Sequence, residues 1–398
     1  MHSALPVDAL VLAGALLILA GVVAASLADR FHAPALLVFL GVGMVVGDDG
    51  LGWVRFDDAR LAQTVSVIAL VVILFDGGLA TPPRELRSVA GPAAALALAG
   101  TAVTTGVVAL GAHALFGIGW TTALLLGAIV GPTDAAAVFG ALGRVPLPSR
   151  LSSLLEAESG LNDPMAVLLT VAVLESWRSG VTVGGLAVFA AQQLVGGALV
   201  GALVGTAGAW LLKRLRSSNA SLFPVAALGV GALAYGVATQ LAASGFLAVY
   251  LAGVVVGHRV ARHRRSIRTF HEAAATMAQI GLFLVLGLLV FPGQLPRVAG
   301  KAVGITLVLV LVARPAAVLS CLTWFRFRRA ELALVSWTGL RGAVPIVLAT
   351  FPLTAAYPDG PLVFDVVFFV VLLSTLVQGA TVAPLARRLG LRADADPG

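Results

Sequence analysis

Charge is scarce in this chain. Of its 398 residues only 11% are Asp, Glu, Lys or Arg, whereas 59% are hydrophobic. A soluble domain of that length needs more polar surface than this composition supplies, so a water-soluble globular fold is excluded. Cysteine is nearly absent: Cys321 stands alone inside an apolar run, which rules out a disulfide or a thiolate metal site. No Walker loop, zinc-ligand spacing or nucleophile elbow occurs, so nothing points to an enzyme. No Lys or Arg precedes the first apolar stretch, so residues 7–28 read as a membrane span and not as a cleaved signal peptide. The pI near 10.6 does not imply nucleic-acid binding, because the basic residues fall between apolar stretches and not along one amphipathic face.

What the chain has is apolar length. Hydropathy sets out stretches near 7–28, 34–47, 61–79, 89–116, 120–142, 151–174, 183–212, 221–240, 244–258, 271–291, 299–320, 331–353 and 362–386. Read as helices, these are thirteen membrane spans, of which the second and ninth are short. The 45 glycines suit helices that approach closely in lipid. Odd-numbered connections carry most of the Lys and Arg, for example Arg259, Arg262, Arg264, Arg265 and Arg268 after the ninth span. The positive-inside rule then places the N-terminus outside and the C-terminus in the cytoplasm, in a multi-pass protein of the cell membrane. Span five is broken by Gly131–Pro132 and span twelve by Gly339, Gly342 and Pro345, each the fifth of its half. Matching interruptions in halves of about 1–174 and 221–388 predict an all-α membrane protein with an inverted-topology repeat and two broken, crossing helices.

Acids stand beside these breaks. Asp134 follows Pro132 in GPTDAAAVFG, and Asp163 precedes Pro164 in ESGLNDPMAV. A charged side chain at mid-bilayer depth costs about 2.5–3.5 kcal/mol on insertion scales, so it faces a cavity, a partner or an ion. In a helix Ser159 and Asp163 share one face, and Glu158 and Asn162 another. Asp163, Asp134, the Ser159 hydroxyl and the Thr133 carbonyl form an oxygen-rich nest suited to a hard monovalent cation. A carboxylate in low dielectric titrates nearer neutral pH and holds a proton or a cation, but not both. If the carrier reorients only when the site is neutralised, the two gradients are coupled. Asp163 is the expected shared carboxylate, with Asp134 assisting. No cofactor is expected beyond the transported ions.

Arg314 and Arg341 lie inside spans, where pairing with a carboxylate is expected; Asp76, Asp134, Glu158 and Asp163 are the candidates. Glu158 is expected to take an arginine, and Glu156 to act as a favourable charge at a helix start. His258, His263 and His271 read as residues of a solvated loop, as do Asp48, Asp49, Asp57 and Asp58. A cation channel would need a continuous pore, which charged broken helices do not suit. An intramembrane aspartyl protease is disfavoured because the second acid sits in LND and not in a GxGD pattern.

FDGGL at Phe75, GPTDAAAVFG at Gly131, ESGLNDPMAV at Glu158 and TGLRGAVPIVLA at Thr338 together resemble the NhaP-type monovalent cation:proton antiporters. That family includes the eukaryotic sodium/proton exchangers, and the wording is most similar to its bacterial potassium/proton branch. The resemblance implies thirteen spans, a homodimer in the lipid membrane, and a mobile core moving against a dimerisation domain. It maps the cation site onto Thr133, Asp134, Ser159 and Asp163, with Asn162, Glu158, Arg314 and Arg341 in support. It also implies that an Asn at 162 beside Asp163 goes with electroneutral, one-for-one exchange. Potassium-type relatives continue into a cytoplasmic regulatory domain; here one transmembrane domain over 1–398 is expected, without a soluble one.

Overall fold

The computed structural model describes residues 12, 14–16, 18–23 and 35–391, apart from 55, 82, 144, 181, 182, 217, 218 and 262. The ends of the first expected span, the start of the second and the C-terminal tail lie outside the described residues, and every described residue from 12 to 23 is helical. The helices that follow are α1 (Ala35–Val46), α2 (Ala59–Ala80), α3 (Pro83–Ala95), α4 (Thr101–Phe116), α5 (Trp120–Val130), α6 (Ala135–Leu142), α7 (Ser149–Ser179) and α8 (Val183–Arg214). After these come α9 (Leu222–Gln240), α10 (Gly245–Arg259), α11 (Arg264–Leu288), α12 (Leu295–Val308), α13 (Arg314–Leu322), α14 (Arg329–Trp337), α15 (Ala343–Thr354) and α16 (Gly360–Arg388).

Each expected apolar stretch from the second to the thirteenth coincides with a helix, a pair joined through a π turn, or a broken pair. By length and composition seven described helices are apolar enough to cross a membrane, or eight if the bent pair α5–α6 is one span. The count of thirteen crossings therefore stays an expectation: α1, α10 and α15 are too short to cross alone.

Helix ends follow local chemistry. Asp58 was expected to be merely solvated, yet its carboxylate caps α2 by accepting from the amides of Arg60 (2.9 Å) and Leu61 (3.0 Å). Asp49 likewise accepts from the Gly293 amide at 2.9 Å. His271 departs further from expectation. It lies within α11, wholly buried, with Nδ1 2.8 Å from the Ile267 carbonyl and its ring 5.2 Å from that of Phe75. The basic run after α10 is wound into a helix instead of forming an open loop, which carries His271 inward.

Several features recur in both halves. A π turn joins α3 to α4 at Leu96–Gly100, and another joins α12 to α13 at Leu309–Ala313. The α5–α6 break, bent by 52°, is matched by the α14–α15 break at 338–342. Two helix crossings are made backbone to backbone. A methyl group at Gly43 of α1 would stand 2.9 Å from the Gly287 Cα of α11, and one at Gly253 of α10 would stand 3.1 Å from the Gly78 Cα of α2. Only glycine permits such approach in a packed helix bundle. These paired features are those of an inverted repeat whose two broken helices cross.

Candidate functional site

The two breaks touch. The Asp134 amide donates to the Leu340 carbonyl at 2.9 Å, which binds the first break to the second through main chain alone. Each break ends one helix and begins another, leaving negative C-terminal ends on α5 and α14 and positive N-terminal ends on α6 and α15. The charges that offset these ends are exchanged crosswise. Arg341, from the second break, donates through Nη1 to the Pro132 carbonyl of the first at 2.9 Å. Asp134, from the first break, caps α6 by accepting from the Ala137 amide at 3.1 Å, and it also lies against Gly342 at the start of α15.

Pairing of Arg341 with a carboxylate is not what the structure shows. Arg341 is 1% exposed, and its Nε and Nη2 have no hydrogen-bond partner. The acid that interacts with it electrostatically is Glu158, but Arg314 has already taken that residue. Arg314 and Glu158 form a bidentate pair, Nη1 to Oε1 and Nη2 to Oε2, the latter at 2.9 Å, with both side chains buried. Of the other candidates, Asp76 interacts with Glu272 and Arg268 of α11.

Helix α7 presents two functional faces. Glu158 and Asn162 face the breaks: Glu158 holds Arg314, and the Asn162 amide donates to the Thr133 hydroxyl at 2.8 Å. Ser159 and Asp163 face a cavity of about 270 Å³ that Thr133 and Asp134 also line. The Ser159 hydroxyl accepts from the Ala135 amide at 3.3 Å. Asp134 and Asp163 are both half-buried on the cavity wall, close enough for their charges to repel. The cavity is not closed: its lining includes the exposed residues Gly77, Ala80, Ala136 and Glu156. It thus brings together Thr133, Asp134, Ser159 and Asp163, while Asn162, Glu158, Arg341 and Arg314 form a layer behind it and Asp76 belongs to neither.

Sequence reading missed several contributors. Glu156, taken as a helix-start charge, is on the cavity rim. Tyr250 of α10 also lines the cavity, with its hydroxyl 3.3 Å from that of Thr81. From α16, Thr375 donates to the Arg341 carbonyl (3.1 Å) and Gln378 to the Trp337 carbonyl (2.8 Å), supporting the second break. The one sequence signal for the latter pair was a polar STLVQ cluster at Ser374 in an otherwise apolar helix. Gly342 has a steric role: a methyl group there would sit 2.6 Å from the Asp134 carboxyl carbon and 2.8 Å from its Cβ. Gly342→Ala is therefore expected to push the Asp134 carboxylate aside. The exchange that the sequence resemblance implies should drop about a hundredfold in reconstituted vesicles, the scale seen when a reacting group moves by about 1 Å. Parental flux would show that Asp134 needs no fixed position.

The family model described as "Sodium/hydrogen exchanger, transmembrane" matches residues 14–388. Over 387 residues the chain is 43% identical to the K(+)/H(+) antiporter NhaP of Alkalimonas amylolytica, covering 96% of this chain and 67% of that protein. It is 31% identical to the Na(+)/H(+) antiporter NhaP of Pseudomonas aeruginosa, covering 84% of this chain and 82% of that one. Among solved structures it is similar to that of the sodium proton antiporter MjNhaP1 from Methanocaldococcus jannaschii at pH 8. That likeness has a TM-score of 0.84 at 20% identity, with 96% of this chain and 99% of the other covered.

Proposed function

The chain belongs to the transmembrane sodium/hydrogen exchanger family, and on that premise we propose how it exchanges a monovalent cation for a proton across the membrane. Asp163 is the carboxylate that the two ions occupy in turn, Asp134 assists, and Ser159 and Thr133 supply further oxygens. One observation carries this reading: two crossing breaks and α7 bring these four residues onto the wall of a single open cavity. Crosswise compensation by Arg341 and Asp134 leaves little uncompensated helix-end charge behind the site, so the charge state of Asp163 decides whether the core can move.

With the basic connections in the cytoplasm, the cavity lies on the cytoplasmic side. It is lined by the C-terminal part of α2 and the early turns of α7, both of which point that way. The structure is then inward-facing, in a multi-pass protein of the cell membrane that acts as a homodimer. Potassium is the favoured cation, because relatives 40–43% identical are named K(+)/H(+) antiporters. Exchange is electroneutral, one cation for one proton, since Asn162 adds no second charge to Asp163.

Proton flux in proteoliposomes with potassium, sodium and lithium, measured across pH, tests the whole. One site shared by two ions requires the apparent cation affinity to weaken by about tenfold per unit of falling pH once the site is mostly protonated. An imposed membrane potential should leave the rate unchanged. A pH-independent affinity would defeat the competition, and a potential-driven rate would defeat electroneutrality.

A further inference from the structure

Helices α2, α7 and α15 surround a second cavity, of about 460 Å³, at their other ends. Its wall includes Arg60, Gln63 and Thr64 of α2, Glu175 and Arg178 of α7, and Thr354 of α15. Between the two cavities the three helices pack against one another. Each contributes one wholly buried hydroxyl to that seam: Ser66, Thr170 and Thr350, all 0% exposed.

Helical spacing places all three on the faces that line the cavities. On α7, Asp163, Thr170 and Leu174 stand at i, i+7 and i+11; the first lines the inner cavity and the last the outer one. On α2, Gln63, Ser66, Leu70 and Ile73 stand at i, i+3, i+7 and i+10, again running from one cavity to the other. On α15, Ala343, Thr350 and Thr354 repeat the spacing of α7. Seven residues of helix rise about 10 Å, so along its own helix each hydroxyl stands roughly two turns or less from a residue that lines the inner cavity.

Two of the three hydroxyls differ from ordinary helical Ser and Thr. Thr350 donates back to the Val347 carbonyl at 2.6 Å, as such residues commonly do. Ser66 Oγ and Thr170 Oγ1 are buried with no hydrogen-bond partner. A buried hydroxyl without a partner disfavours the state that contains it, so this closed seam is held at a cost that hydration would remove.

We propose that this seam is the closed half of the ion path. Ser66, Thr170 and Thr350 are the polar rungs that a cation and its water use between Asp163 and the second cavity once the carrier has turned. The inference rests on the exchanger reading above and assigns residues to the leg of the path that this structure holds shut.

Thiol labelling tests it. With the one native cysteine removed as Cys321→Ser, Ser66→Cys and Thr170→Cys are introduced singly and reconstituted in liposomes. Each is expected to react with an impermeant thiol reagent about tenfold faster during cation/proton turnover than with the gradients collapsed, and the reaction should stop exchange. Leu168→Cys, buried on α7 but off this face, should stay unreacted. Equal reaction at 66, 168 and 170, or none at 66 and 170 while exchange runs, overturns the proposal.

A second arm needs no reporter. Thr170→Val removes the hydroxyl at nearly constant volume and is expected to slow exchange about tenfold, whereas Thr170→Ser keeps it and should exchange normally. Parental exchange by Thr170→Val overturns the rungs. Asp163→Asn run in parallel separates the two ideas. If it exchanges normally, the site reading above fails. If it is silent and the seam cysteines never react, only the seam fails.

Discussion

Asparagine in place of Asp163 is expected to bring cation-driven proton movement down to the level of protein-free vesicles while the protein stays folded. The amide has the shape of the carboxylate but cannot take up or release a proton in this range of pH, and it offers a cation no charge. Folding should survive because Asp163 is half-buried on a cavity wall, and no hydrogen bond or ion pair among the described residues occupies its carboxylate. Its neighbour cannot replace it. Asp134 is held by the Ala137 amide through its side chain and by Leu340 through its own amide, so its position is fixed by structural duties. Asp134→Asn is accordingly a milder change: asparagine caps helices well, so residual exchange with weaker cation affinity is expected. Flux in vesicles, with size-exclusion elution as the check on folding, reads both variants. Equal loss in the two would mean that the carboxylates act as one unit, and undiminished flux in Asp163→Asn would remove the ion site from this position.

Arg314→Ala should produce the largest loss of stability. It leaves the Glu158 carboxylate buried without its bidentate partner, and breaking a buried pair from one side costs about 3–5 kcal/mol. The pair joins α13, directly after its π turn, to α7 behind the cavity, so its loss should loosen the site as well as the fold. Thermal unfolding in detergent is expected to begin several degrees lower. Glu158→Gln with Arg314→Met should recover most of the difference, because replacing both charges leaves neither one stranded. If the double variant is as unstable as the sum of the two single ones, the pair is not an interacting unit.

Glycine, proline and spacing made much of this legible. Gly131–Pro132 and the Gly339–Gly342 segment announced both breaks because those residues interrupt helices for local reasons. The four-residue spacing of Ser159 with Asp163, and of Glu158 with Asn162, anticipated the two faces of α7 because helical periodicity is also local. What escaped were contacts between elements far apart in the chain. Nothing near Arg341 says that its partner is the carbonyl of Pro132, more than 200 residues earlier. Nothing near Tyr250 says that it closes over a cavity whose acids come from α7 and the first break. His271 looked solvated because basic residues precede it, whereas the turn of α11 buries it against Phe75. The π turns went unread because the segments LALAG and LVLVA hold only small and apolar residues, which an ordinary helix accepts equally well.

The amide of Asp134 bonded to the carbonyl of Leu340 has a consequence for how such a protein can change over generations. A strap made only of backbone is indifferent to nearly every mutation; at position 134 only proline would delete its donor, and proline would delete the carboxylate too. The lineage is thus free to experiment with the side chains around the crossing, and with them the preference among ions, while the join itself stays beyond the reach of drift.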